Sequence, residues 1–427
     1  MMKKIFTLLF IIIPALSSCK DNGNGNKMPW GDDLDNKDKV QAGYEVGNVL
    51  PGWEEGYLDI HAINSGRGEC VMYILPDGTS MLVDAGEVTA ASSEYIQRKP
   101  NESIRPYVTY SRYIKQFLPK GHSKLDYMYL THFHIDHMGE DADSNPKNAN
   151  GYRSVGVSGV WEEVGFNTLL DRGYPTYGDD PSILAPESTA TGNYIAFVKY
   201  AVSKGLKAER ITVGSDTQIK LLYNPTAYNN SFRLLNIVGN GQYVSLDTSS
   251  GKQTVAAVSV TGDNPASCGF HLRYGKFDCL ACGDLTSAPQ NKMADYYKNY
   301  VGVLEVFKGN HHLSANSWGS QMQKNSFSPR VIFNEAFTNY QPDKDLMQSI
   351  MTGAFSSNTY TWTKDIFLTN LATDLFEANK DIYKDCHANG HVVIRVSPGG
   401  DQFYVYMLDD SDFSYKIKSI HGPFNSK

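Results

Sequence analysis

The sequence predicts an α/β protein in which two β-sheets pack face to face with helices outside, a four-layer αββα sandwich. Three observations point there. Strand signals fall in two clusters, one ahead of residue 131 and one beyond residue 217. Amphipathic helical stretches lie between and after them, at 106–118, 194–204 and 289–300. The 427 residues are 41% hydrophobic and 20% charged, enough apolar material for a large core.

Residues 58–63 read as the first strand and 69–75 as the second, separated by a turn at Gly66-Arg67-Gly68. Pro76-Asp77-Gly78-Thr79 makes a tight hairpin into a third strand at 80–84. Residues 106–118 read as a helix, because Pro106 suits a first turn, Tyr110, Ile114, Phe117 and Leu118 share one face, and Pro119-Lys120-Gly121 stops it. A strand at 125–131 follows. Residues 139–190 are polar, weakly periodic and rich in Gly, Asn, Asp and Pro, and read as an insertion roofing the end of that strand. Within it, Val160-Trp161 and residues 166–170 are candidate short strands. Residues 194–204 form a helix ended by Gly205. Strand signals then recur at 217–223, 232–238, 254–261, 268–274, 276–282 and 304–308, with a helix at 289–300. A hairpin of 392–396 with 403–408, turning at Pro398-Gly399-Gly400, closes the chain.

The first 18 residues are not part of this fold. Lys3 and Lys4 precede an apolar run, 5–13, too short to span a bilayer, and Leu16-Ser17-Ser18-Cys19 follows. This resembles a bacterial lipoprotein signal, cut before Cys19 with lipid attached to its sulfur, and Lys20-Asp21 resembles surface-export signals of Bacteroidetes lipoproteins. The expected product is exported and held at the periplasmic membrane face or the cell surface by lipid alone, with 19–48 as a flexible tether and 49–427 as the folded domain. The formal charge of −7 offers no basic surface and makes nucleic acid a disfavoured partner. The 27 tyrosines suit a sugar- or base-stacking surface, although tyrosine also fills sheet faces. Cys279 and Cys282 mimic a CxxC metal motif, but residues three apart on a strand point to opposite faces, so they read as core thiols.

The chemistry concentrates in Thr131-His132-Phe133-His134-Ile135-Asp136-His137, where three of the chain's 11 histidines fall at a strand end. In an extended segment His132 and His134 project the same way and can grip one ion. If a helix then starts, Asp136 and His137 swing toward a neighbouring position, so one short run seeds two metal sites.

This run resembles the signature of the metallo-β-lactamase superfamily, and residues 81–86, ending in Asp84-Ala85-Gly86, resemble its earlier strand, whose aspartate orients the metal loop. Asp263-Asn264-Pro265-Ala266-Ser267, then Gly283-Asp284, then Gly309-Asn310-His311-His312, follow in the order of the hydrolase domain of competence DNA-uptake channels. The resemblance implies that Asp284 bridges two cations, that His311 is the far ligand, and that His312 either protonates the leaving group or exchanges roles with His311. It also implies departures. No further histidine ligand stands between the run and Asp284, since His271 is mid-strand and reads as a packed or surface residue, and Leu313 replaces a usual glycine. His391 is a remote candidate from the last strands.

The resemblance implies a hydrolase with two divalent metals, zinc expected and manganese suited to the same donors. Ions ~3.5–4 Å apart would lower the pKa of a shared water, Asp136 and Asp284 would position the nucleophile, and His312 would supply a proton. Phosphodiesters or other small phosphoesters are the favoured substrates. Carboxylic esters, lactones and β-lactams form the alternative, and a non-catalytic lipid-anchored binding module the third. The sequence is silent on oligomeric state.

Overall fold

Nine strands build each of two sheets in the computed structural model, which describes residues 44–141, 147–178, 189–247, 249–301, 303–319, 328–352 and 365–427. The first sheet uses β1 (Leu58–Ala62), β2 (Val71–Ile74), β3 (Ser80–Val83), β4 (Leu125–Tyr129), β5 (Phe166–Asp171) and β6 (Lys207–Arg210), joined from the C-terminus by β16 (His391–Val396), β17 (Gln402–Leu408) and β18 (Ile417–Asn425). Their order is β18-β17-β16-β1-β2-β3-β4-β5-β6, antiparallel up to β3 and parallel from β3 to β6. The second sheet uses β7 (Phe232–Gly239), β8 (Gln242–Leu246), β9 (Gln253–Ala257), β10 (Gly269–Tyr274), β11 (Phe277–Ala281), β12 (Val303–Lys308), β13 (Ser328–Asn334), β14 (Asp365–Leu368) and β15 (His387–Ala388). Its order is β15-β14-β13-β12-β11-β10-β7-β8-β9, parallel from β11 to β15.

The core divides into three slabs, as a four-layer sandwich requires. Alternate residues of both sheets, among them Ile60, Tyr73, Val83, Phe270, Leu272 and Phe333, meet between the sheets. Met72, Leu82 and Met128 face outward onto helices α1 (Pro106–Phe117), α3 (Gly156–Glu163) and α4 (Thr189–Ser203), with α2 (Ile135–Met138) a single turn. Leu280, Phe307 and Ile332 face the other way, onto Tyr296, Met347 and Tyr383. The central strands are therefore covered on both faces, which explains why β2 and β4 are buried at every position, while the edge strands β6 and β9 stay largely open. Cys279 lies in the inter-sheet slab and Cys282 in the outer one, and all five cysteines among the described residues are free.

Several expectations need correction. Val160-Trp161 lies in helix α3, where Ser158 Oγ accepts from Val155 N (3.0 Å) and Val157 and Val160 bury a helical face. Residues 217–223 form no strand, because their backbone bonds to side chains instead of a ladder: Leu222 N donates to Thr79 Oγ1, and Tyr223 N to Asp77 Oδ2. The helix expected at 289–300 breaks at Met293. The last hairpin does not close the chain, since β18 adds an edge strand that tolerates Pro423. Much of the expected insertion is core, through α3 and β5, while residues 142–146 and 179–188 lie outside the described residues. The domain begins before residue 49, as Tyr44 is buried and bonded to Arg395. Cys19 and residues 1–43 lie outside the described residues, and among the described ones no helix is long and apolar enough to cross a membrane.

Candidate metal centre

Strand β4 ends at Tyr129, and the chain stays extended through His134 before turning into α2. That bend points His132 and His134 one way and carries Asp136 and His137 beside them. Asp84 locks the bend. Its carboxylate accepts from Thr131 N (2.8 Å), Thr131 Oγ1 (2.8 Å) and His137 Nδ1 (2.8 Å). Gly86 lets the two segments touch, because a Cβ there would lie 1.7 Å from the Asp136 carbonyl oxygen.

The second sheet brings Asp284 from beyond β11. Gly283, at φ +51°, is the close contact: a Cβ would sit 2.7 Å from the Thr131 side chain. Ser267 Oγ accepts from Asp284 N (3.2 Å), and Asp263 accepts from Phe133 N (2.7 Å) while pairing with buried Arg172. The segment 263–267 thus ties the metal loop to Asp284. The third contribution follows β12, where His311, His312 and Leu313 take successive left-handed backbones, φ +47°, +53° and +55°. Such strain persists only where surrounding structure enforces it. Here it turns both imidazoles toward Asp284.

The donors converge. His137 Nε2 lies 3.1 Å from Asp284 Oδ1, His132 Nε2 3.8 Å from Asp284 Oδ2, and His312 Nε2 3.5 Å from Asp284 Oδ2 and 3.0 Å from Asp136 Oδ2. Two sets have ligand atoms mutually within 4.8 Å: His132, His134 and Asp284, and Glu69, His137, Asp284 and His312. Asp284 belongs to both. Asp136 borders the second set, 3.6 Å from His137 Nε2. His311 stands at the rim, its Nε2 3.8 Å from Asp284 and accepting from Asn264 Nδ2 (3.0 Å), its Nδ1 bonded to Asn316 Oδ1 (2.7 Å).

These residues fit divalent cations. His132 Nε2, His137 Nε2 and Asp284 Oδ1 are buried with no hydrogen-bond partner among the described residues, although they face one another. An unsatisfied buried polar atom costs ~1–3 kcal/mol, so three at one point call for a shared partner. The opposite ring nitrogens are engaged, His137 by Asp84 and His312 by the Glu335 carbonyl (2.8 Å), which leaves Nε2 as the outward lone pair. Burial works against the His137 imidazolium, yet the carboxylates of Asp284, Asp136 and Asp84 outweigh it and hold its pKa well above the ordinary value. The cluster attracts positive charge.

Sequence reasoning gives no role to Glu69, Lys308 or Glu335, although Lys308 stands in the stretch Phe307-Lys308-Gly309-Asn310-His311-His312. All three are buried. Lys308 Nζ forms an ion pair with Glu69, which lies 3.7 Å from His312 Nδ1, the nitrogen facing away from Asp284. That permanent cation already neutralises Glu69, so Asp136 is the better partner for His137 and His312. Lys308 ends strand β12, directly ahead of the turn that carries the histidine pair. His271 is buried against Asp278 and Tyr296, and His391 accepts from Asn64 N and packs on Tyr113; neither belongs to the two sets.

No protein-family model and no curated protein matches the chain. Solved structures similar to it include a candidate metal-dependent hydrolase from Parabacteroides distasonis, 13% identical over 73% of this chain and 92% of that one, TM-score 0.31. CmlA, a diiron β-hydroxylase from Streptomyces venezuelae, is 11% identical over 82% of this chain, TM-score 0.33, and the match spans 55% of its length. Zn²⁺-bound PqqB from Methylobacterium extorquens is 10% identical over 59% of this chain and 71% of that one, TM-score 0.30. Likenesses this distant do not bear on chemistry.

Proposed function

We propose that the protein is a metal-dependent hydrolase of small phosphoesters, phosphodiesters first. The observation that supports this is the convergence of buried, unpartnered His132 Nε2, His137 Nε2 and Asp284 Oδ1 from separate stretches of chain. His132, His134 and Asp284 would hold one cation, and Asp136, His137, His312 and Asp284 the other. Bound divalent metals, zinc or manganese, supply Lewis acidity and a water acidic enough to act as nucleophile near neutral pH.

The chain's own groups do the rest. Asp84 holds the His137 ring and the loop that bears His132. Burial of His132, His137 and Asp284 keeps bulk water from competing for their polar atoms. In this reading His311, rather than His312, exchanges a proton with the leaving group; its position at the rim, with Nε2 turned toward Asp284 and Nδ1 bonded to Asn316, supports that role. Of the two arrangements that the sequence leaves open, this reading takes the exchanged one. The preference for phosphoesters comes from the order of 263–267, Gly283-Asp284 and His311-His312, which resembles the competence-channel branch. Export and lipidation at Cys19 belong to the same proposal and await labelling of wild type and Cys19→Ala with a fatty acid.

A panel of bis(p-nitrophenyl) phosphate, a lactone and a cephalosporin, with zinc, manganese or chelator, tests the function. We expect phosphodiester turnover that disappears with chelator. Turnover confined to the lactone or cephalosporin would move the chain to the alternative substrate class. Metal binding without turnover of any of them would leave a binding module.

A further inference from the structure

A cavity of about 510 Å³ lies at the end of the sandwich remote from the metal centre. Cys268, at the metal end, donates to the Thr131 carbonyl, and Arg273, which lines the cavity, is five residues further along, roughly 17 Å at strand spacing. Part of the cavity wall is the irregular segment that replaces the strand expected at 217–223.

The lining contains an arrangement the fold does not require. Arg233 of β7 and Arg273 of β10 stand directly opposite each other in register. Like charges so placed repel, and an antiparallel pair ordinarily avoids them. Here they are held apart and fixed. Asp278 takes Nε and Nη2 of Arg273 (2.7 and 3.1 Å), and Asp216 takes Nε of Arg233 (2.9 Å). Tyr300 joins the two: its hydroxyl accepts from Arg233 Nη1, and the Arg273 guanidinium lies 5.3 Å from its ring centre. Asp278 does not cancel Arg273 alone, since it also binds Lys427 and His271. Lys220 adds a third lining cation, exposed at its own surface, against one lining acid, Asp216. In a chain of formal charge −7 this is a locally positive cavity.

We propose that this cavity is a second ligand site, for a small phosphomonoester. Guanidinium groups fixed by their own acids lose little freedom on binding an oxyanion, and Nη1 of Arg273, outside the pair of nitrogens that Asp278 takes, is the donor left for a phosphoryl oxygen. Lys220 supplies the balancing charge for a dianion, and the Tyr228 ring lines the same cavity for the rest of the molecule. The volume falls within the ~300–1,000 Å³ of small-molecule pockets.

Calorimetric titration of the metal-loaded full chain with phenylphosphonate, whose P–C bond resists hydrolysis, tests the site. We expect a binding event that Asp284→Asn leaves unchanged and that Lys220→Gln and Arg273→Gln each weaken tenfold or more. Lys220 is exposed, so its variant keeps the fold and controls for any instability left by Asp278 in Arg273→Gln. Absence of binding overturns the proposal. So does binding abolished by Asp284→Asn, or binding indifferent to Lys220→Gln.

Discussion

Asp59, on strand β1, and Asp284, in the turn after β11, are both buried carboxylates, and the fold treats them oppositely. Asp59 faces Arg395 across the β1–β16 ladder, and the guanidinium donates to both its oxygens, at 2.8 and 2.5 Å. Arg395 spends its remaining donor on Tyr44 and the Pro51 carbonyl. Both carboxylate oxygens are thereby taken. Around Asp284 histidines and the carboxylates of Asp136 and Glu69 approach, and ring nitrogens and an oxygen remain without partners among the described residues. A saturated buried ion pair serves the fold, whereas a buried cluster with lone pairs in surplus serves a ligand.

The contrast is broken most sharply at Asp284. Replacing it with asparagine keeps the shape and removes the charge common to both sets. We expect at least a thousandfold loss of kcat/KM and no rise in melting temperature on adding zinc, where wild type gains stability by mass action. A zinc-dependent shift in that variant as large as the wild-type one would dissociate Asp284 from metal binding. Arg395→Met makes the opposite perturbation. It strands a buried carboxylate, and urea unfolding should show a loss of ~3–5 kcal/mol. Metal content per folded molecule should stay at the wild-type value.

Much of this division is legible in the sequence, and what is hidden is hidden for physical reasons. The histidine run, Asp84 and Gly283-Asp284 carry local signatures, since a strand end that must hold metal needs particular residues at short spacing. Their convergence depends on two glycines that permit close approach, Gly86 to the Asp136 backbone and Gly283 to the Thr131 side chain, and both stand inside the motifs. Asp59 and Arg395 look like ordinary strand charges, because their pairing spans the chain and only the β1–β16 register brings them together. Glu69, Lys308 and Glu335 are invisible for the same reason. The failed strand at 217–223 shows the converse error, apolar residues that pack without a ladder: Ile219 and Leu221 belong to the inter-sheet slab although their segment is irregular.

The histidine pair sharpens the comparison within the centre itself. His312 is 1% exposed and lies among the carboxylates, and His311 is 21% exposed and outside both sets. His312→Ala should therefore lower the affinity for one equivalent of metal at least tenfold, read by metal analysis after dialysis. His311→Ala should retain both equivalents and lose activity, most for substrates with poor leaving groups. Equal metal loss in the two variants would restore the original assignment of His311 as a ligand.

The smallest effect is titration of the saturated pair. Burial alone would raise the Asp59 pKa, but Arg395, with His61 adding, overrides it and holds the group at about 2 instead of 3.8. A carboxylate depressed in the fold stabilises it at pH values above its unfolded pKa, and that contribution disappears as the pH falls through 3.8 toward 2. It amounts to roughly 2 kcal/mol. His391, buried neutral with its pKa pushed down to about 3, acts with the same sign but over a wider window, from 6.5 downward. Urea unfolding with chelator present should thus show stability declining gently below pH 6.5 and more steeply below 4. In Asp59→Asn the steep limb should lose slope, the rest of it coming from Asp278, which, against its burial, His271, Arg273 and Lys427 hold below the ordinary carboxylate range, while the gentle limb persists. If both limbs survive that substitution unchanged, acid sensitivity arises elsewhere than in the Asp59–Arg395 pair, and the saturated pair loses its status as the structural counterpart of the metal centre.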